Sequence, residues 1–519
     1  MRTLAADGVH DDASRASVRR STTGSPRFVS LVVVGVVVAG VVLRFVQRSP
    51  LWLDEALSVN IARLPLGDLF DALRHDGHPP FYYVLLHGWM ELVGEGDFAV
   101  RSLSGIFAVA SLPLAWIAGR RLAGQAGARW ALLIVALSPY AIRYATEARM
   151  YSLVMLLVLA GYLVLSDALV DPRPWRLVAL ALISGLLLLS HYWSFYLLAA
   201  AGLVLAARWW WRPQQRARTG RVILALAAGG LLFLPWLPGF LYQSANTGTP
   251  WGEPVRPTAI IVTTLTELGG GALIENVLAA VMVAVFVLVA LFTARSGGHE
   301  MTLDLRTVPV VRRELAVVLI VIVLGCLVGY ATNATYQPRY AAVIVPLVLL
   351  AVAVGITRVP GIAQLVAGGA YLAVSVAGIA WVNYYERTQA DVVGDAVAQH
   401  AQPGDVVVYC PDQLGPDYSR QMPAGVVELA YPALSSPERV DWVDYAERNQ
   451  AANPEEIARE VRDRAGDNAV FVVWMSRYRT LGDQCERLVA ALGPAEMLVQ
   501  QDGSRYYEPA FLHWVPALD

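Results

Sequence analysis

Two adjacent acids, Asp54 and Glu55, stand in the run LWLDEALS at 51–58, just past the first long apolar stretch of the chain. A carboxylate at a membrane boundary is costly unless it is hydrated, paired or used. One such acid can take the proton of an approaching hydroxyl while its neighbour orients a ligand or pairs with Arg. The plain alternative is that an acid here caps the following helix. Other charged or polar groups recur beside the same expected face: His78 before Pro79 and Pro80, Arg101, Glu147 with Arg149, His191, and Arg339. Guanidinium donors match phosphate oxygens, so arginines at headgroup depth suit a lipid-linked anion. Each position also has a structural reading. Pro after His78 fits a first helical turn, Arg101 can snorkel, Glu147 and Arg149 can pair, and His191 sits in an aromatic belt with Tyr192 and Trp193. Taken together they describe an outer-face pocket with acids for a hydroxyl and arginines for an anion. No H-E-x-x-H, paired C-x-x-C or G-x-S-x-G pattern is present.

The elements that must position these groups are mostly membrane helices. The chain has 519 residues, 56% apolar and 16% charged, with a mean hydropathy of +0.48. Soluble domains are about 25% charged. Apolar stretches predict spans at about 28–46, 98–119, 127–144, 150–169, 176–193, 195–210, 221–241, 273–294, 314–332, 340–357 and 361–382. Lys is absent, and the Arg-rich loops all fall on one side under this count of eleven. The positive-inside rule makes that side cytoplasmic and places the N-terminus there too. Residues 1–27 read as a disordered cytoplasmic segment, and 28–46 as an uncleaved first helix rather than a secretory signal. The outer loop 47–97 holds HPPFYYVLLHGWMELV at 78–93, too short to cross and read as an interfacial helix. Residues 55–63 and 67–75 read as two more short helices in that loop, and 242–271 as a long outer loop with Trp251, Glu253 and Arg256.

Residues 384–519 change composition and form a separate extracytoplasmic domain by this topology. Strands are predicted at 406–409, 426–429, 469–474 and 497–500, alternating with helices at 390–401, 454–465 and 481–492. Such alternation implies an α/β domain with a largely parallel sheet. No phosphate-cradling glycine motif opens its helices, so nucleotide binding is not indicated, and no basic run with aromatics points to nucleic acid. Cys410 and Cys485 can pair if the domain is exported, although spacing alone does not fix their distance. The fold class is therefore a polytopic α-helical membrane domain, 28–383, followed by an α/β domain.

The motifs LWLDEALS at 51–58, HPPFYYVLLHGW at 78–89, AVRSLSG at 99–105, GRRLAG at 119–124, SPYAIRYATEARMYSL at 138–153 and PRY at 338–340 together resemble the GT-C membrane glycosyltransferases. The closest likeness is to the bacterial family 39-like branch, related to protein O-mannosyltransferases and to the lipid A aminoarabinose transferase. The resemblance implies sugar transfer from a polyprenyl-phosphate donor outside the cytoplasm at the cell membrane, with inversion. It implies Asp54 as base with Glu55 beside it, Arg101 near the lipid phosphate, and Arg149 and His78 as contacts. Arg339 joins the phosphate set, and Glu147 and His191 the substrate set. Tyr151 stands where relatives can carry Asp, His78 where the aminoarabinose transferase has Lys, and the luminal insert of eukaryotic protein mannosyltransferases is absent. The acceptor class stays open among glycan, glycolipid and protein. No cofactor is required, since a polyprenyl phosphate is already a fair leaving group, although Asp54 and Glu55 offer oxygens to a divalent cation. A transporter or lipid-linked-sugar flippase is the rival reading; it lacks the repeat symmetry such proteins often carry.

Overall fold

The computed structural model describes residues 26–249, 252, 256–271, 274–297, 300–476 and 478–517. The expectation for 1–25, and the notes on Trp251 and Glu253, lie outside the described residues. Among the described residues, five helices are long and apolar enough to cross a membrane: Asp97–Ala136, Tyr151–Val170, Pro213–Asn246, Pro309–Ala331 and Gly361–Tyr384. Shorter apolar helices include Ser30–Leu43, Pro174–Ser190, Pro257–Leu268, Val277–Phe292 and Val345–Arg358.

Local chemistry explains where these elements stop and turn. Asp97–Ala136 is two helices folded back at Ala123 and Gly124, where Gly124 has φ +64°. A positive φ is cheap only for Gly. The two arms then approach so closely that a Cβ on Gly119 would lie 2.5 Å from Ala131 Cβ. The expected span 127–144 is corrected: the helix ends at Ala136, and a new short helix, Pro139–Ala145, starts under a Ser138 cap with Pro at its first turn. The expected outer loop 242–271 is also not all loop, because Pro257–Leu268 is helical.

Three short helices follow the first apolar helix: Leu53–Ala62, Leu66–Asp76 and Phe81–Val93. The last carries the HPP run at its start and buries Tyr82, Tyr83, Leu86 and Met90 against the membrane core. The i, i+1, i+4, i+8 pattern is one helical face.

The C-terminal domain has a five-stranded sheet in the order Val427–Ala430, Val406–Cys410, Val470–Trp474, Phe511–Val515, Glu496–Val499. Four of the five strands run the same way, as expected, and Phe511–Val515 alone runs against both its neighbours, which makes the sheet mixed. The reason is that Phe511–Val515 pairs between Val470–Trp474 and Glu496–Val499 without a crossover helix. Val406–Cys410 and Val470–Trp474 are buried along their whole length, as a sheet covered on both faces requires. Between the last two strands the chain makes an excursion whose strand Tyr506–Glu508 pairs in parallel with Glu386–Thr388, just past the membrane exit.

Cys410 and Cys485 are bonded, with Cα atoms 5.6 Å apart and a sequence separation of 75. Closing a loop of that length restricts the unfolded chain, a contribution of about 4 kcal/mol by chain entropy. Reduction is expected to lower the melting temperature of the intact protein. Thermal unfolding with and without reductant checks this, and identical melts would refute it.

Candidate active site

The site is built on the first turn of Leu53–Ala62. Trp52 leads in with extended backbone, and no side chain caps the helix, so neither acid serves as its cap. Successive helical residues diverge by about 100°, which sends the two acids to different partners. Glu55 is fully buried and accepts from Arg101 Nε at 2.8 Å, Arg101 Nη2 at 2.6 Å and the Ala148 N–H at 2.8 Å. Arg101 also donates to the carbonyls of Ser49 at 2.8 Å and Pro50 at 2.9 Å. The guanidinium expected on a phosphate, and the acid expected beside the base, are thus engaged with each other. Their geometry is that of a buried bidentate brace between two helices.

Asp54 faces the other way. Its Oδ2 lies 3.3 Å from Arg339 Nη1 and 3.9 Å from Arg149 Nη2, and has no hydrogen-bond partner in the described residues. Burial pushes the Asp54 pKa up, but Arg339 and then Arg149 outweigh it and hold the carboxyl below its ordinary value. The carboxylate is therefore ionised, flanked by two cations, and 14% exposed at its side chain.

Arg149 is held from several sides. It donates to the Asp54 carbonyl at 3.1 Å, Ser58 Oγ at 2.8 Å, Tyr83 OH at 3.3 Å and His78 Nε2 at 2.8 Å. A guanidinium can only donate, so His78 Nε2 is the acceptor and its Nδ1–H donates to Asp76 Oδ2 at 2.9 Å. Tyr83 OH donates to the same oxygen at 2.8 Å. Burial raises the Asp76 pKa, yet His78 and then Arg149 overcome it and leave a net lowering. His78 is thus placed to aim Arg149. Arg339, from the turn Pro338–Val343, stacks 5.5 Å from the Trp52 ring, and its Nε has no hydrogen-bond partner among the described residues.

Glu147 is not paired with Arg149. It bonds Arg387 and lies 3.8 Å from Arg143, whose Nη1 is 2.7 Å from Glu267. His191 packs between the rings of Tyr151 at 5.9 Å and Tyr340 at 5.4 Å, and its Nδ1 accepts the Trp193 N–H at 3.1 Å. Both stand beside the Asp54 cluster rather than in it. Among the described residues, no group of three His, Cys, Asp or Glu side chains is placed to hold a metal ion.

The sequence reading missed what the C-terminal domain brings. Arg387 lies 5.5 Å from the Trp52 ring, Tyr507 meets that ring edge-on at 5.6 Å, and Glu508 Oε2 accepts the Leu53 N–H at 3.1 Å. Burial first, then Asp417 and Asp54, push the Glu508 pKa well up, so it presents a neutral carboxyl behind the charged site. The large apolar Trp52, two residues before Asp54, was the signal that a second body must cover this turn.

Residues 77–238 match the family model described as dolichyl-phosphate-mannose-protein mannosyltransferase. No curated protein matches the chain by sequence. Two crystal structures of ArnT from Cupriavidus metallidurans are similar, each at 12% identity and covering 94% of this chain and 98% of ArnT. The one bound to undecaprenyl phosphate gives a TM-score of 0.57, and the apo form 0.56. The chain has the GT-C fold.

Proposed function

We propose that this GT-C fold is a membrane glycosyltransferase that moves a sugar from a polyprenyl-phosphate donor to a hydroxyl of a cell-envelope acceptor. The observation that carries the reading is the asymmetry of the two acids: Glu55 is saturated with hydrogen bonds, while Asp54 Oδ2 lies between two arginines with no hydrogen-bond partner among the described residues. The undecaprenyl phosphate bound by ArnT supports a lipid phosphate as the ligand class. On the topology expected from the Arg-rich loops, the site and the C-terminal domain lie outside the cytoplasm at the plasma membrane.

The reaction is a single displacement. The acceptor oxygen attacks the anomeric carbon, the bond to the phosphate oxygen breaks, and the hydroxyl proton passes to Asp54. The configuration inverts. Arg149 and Arg339 stabilise the charge that develops on the departing phosphate. Arg101 and Glu55 hold the Asp54 turn in place, and His78 with Asp76 aims Arg149. None of these steps calls for a metal.

The test is transfer by the purified protein in lipid, with a panel of labelled polyprenyl-phosphate sugars and an envelope extract as acceptor pool. Transfer from one donor supports the reading. Neither transfer nor donor hydrolysis with any donor, combined with ligand-dependent flux in proteoliposomes, would favour the flippase instead.

Two further results are expected. Arg339→Ala raises the donor KM about tenfold or more, because one charge-assisted phosphate contact is lost; steady-state kinetics with varied donor checks this. The acid limb of kcat/KM lies below the ordinary Asp value of 3.8, because Asp54 stays ionised until the pH falls through its lowered pKa. A limb well above that value would place the essential base elsewhere.

A further inference from the structure

The excursion that carries Tyr507 also forms one wall of an open cleft of about 480 Å³. Tyr385, Tyr478, Tyr506, Tyr507, Gln501 and Arg479 line it, and Arg479 is the one charged residue among the lining described. Tyr507 is 42% exposed, although its ring edge rests on buried Trp52. Gln501 Oε1 is buried and lacks a hydrogen-bond partner in the described residues. From the cleft the contacts run without a break to the reacting centre. Tyr507 meets Trp52, Trp52 stacks on Arg339, and Arg339 faces Asp54.

Ring faces mixed with amide and phenol groups, and few charges, match one ligand chemistry best. A saccharide offers C–H faces to aromatic rings and hydroxyls to polar side chains. A lipid tail would call for an apolar lining, and a phosphorylated ligand for several cations. Tyrosines supply rigid amphipathic contact area at small entropic cost.

We propose that this cleft binds the acceptor as a neutral oligosaccharide and presents its terminal hydroxyl towards Asp54. The proposal rests on the glycosyltransferase reading and names its acceptor class. On the topology proposed above, the cleft lies where envelope glycans are.

The test is saturation-transfer NMR on the full chain in nanodiscs, without donor. The probes are mannohexaose, arabinohexaose, maltohexaose and a Ser/Thr-rich peptide. One hexasaccharide is expected to bind, with affinity lowered about tenfold or more by Tyr507→Ala and restored by Tyr507→Phe, which keeps the ring. Glycan binding that is indifferent to Tyr507→Ala overturns the proposal, as does binding of the peptide alone or of no glycan. The measurement needs no turnover. Glycan binding that depends on Tyr507 in a protein that transfers no sugar would therefore fault the transferase reading and leave the cleft standing.

Discussion

Asp54→Asn is expected to lower sugar transfer by about 10²–10⁴-fold while leaving the melting temperature close to wild type. The amide has the shape of the carboxylate but cannot take the acceptor proton. The two flanking arginines are expected to tolerate it, because each keeps other anchors: Arg149 its bonds to Ser58 and His78, and Arg339 its stacking on Trp52. Removing the charge also removes an attraction of the arginines away from the donor. Donor affinity should then hold or improve while kcat falls. That split separates a base from a binding residue. Full kcat in Asp54→Asn would sink the assignment, and a collapse of the melting temperature would show that the carboxylate is needed for folding instead.

Glu55→Gln, one residue along, should behave in the opposite manner. It leaves the Arg101 guanidinium buried, with side-chain exposure of 8%, and without a counter-charge. Breaking a buried pair from one side costs about 3–5 kcal/mol. The brace joins the Asp54 helix, the Ala148 backbone and the start of Asp97–Ala136, so the loss should appear as a much lower melting temperature or as failure to accumulate in the membrane. Arg101→Met alone should be similarly damaging, whereas Glu55→Gln combined with Arg101→Met should be better than the sum of the two, since neither leaves a buried unpaired charge. Melting curves of the three variants in detergent decide it. Wild-type melting in both single variants would mean the pair carries no structural load.

Much of this arrangement was legible from the residues. The paired acids after an apolar span, and arginines recurring at one face, pointed to Asp54, Arg149 and Arg339, which the structure brings together. The three short helices between Leu53 and Val93 were visible from their spacing and from a stretch too short to cross the membrane. The identity of each partner was not. Glu55 and Arg101 are 46 residues apart in sequence, and nothing in either environment says that each saturates the other. Glu147 illustrates the same limit from the other side. It was read with Arg149 two residues away, but it pairs with Arg387, 240 residues on. Local spacing reports faces of a helix; it does not report which distant strand will lie against them. The mixed sheet was missed for a related reason. Burial of a strand on both faces looks alike in sequence whether its neighbour runs parallel or antiparallel.

The membrane exit at Tyr384 looks in sequence like a seam at which one module ends and another begins. The strand Glu386–Thr388 makes it something else. Arg387 stands three residues past the last membrane helix and is already bonded to Glu147 and seated over Trp52. Side chains on a strand alternate faces, so a single inserted residue would turn the wrong one towards the site. A chimera joined here one residue out of step could keep two intact folds and still lose the contact between them. The working unit of this protein therefore crosses the line at which its composition changes.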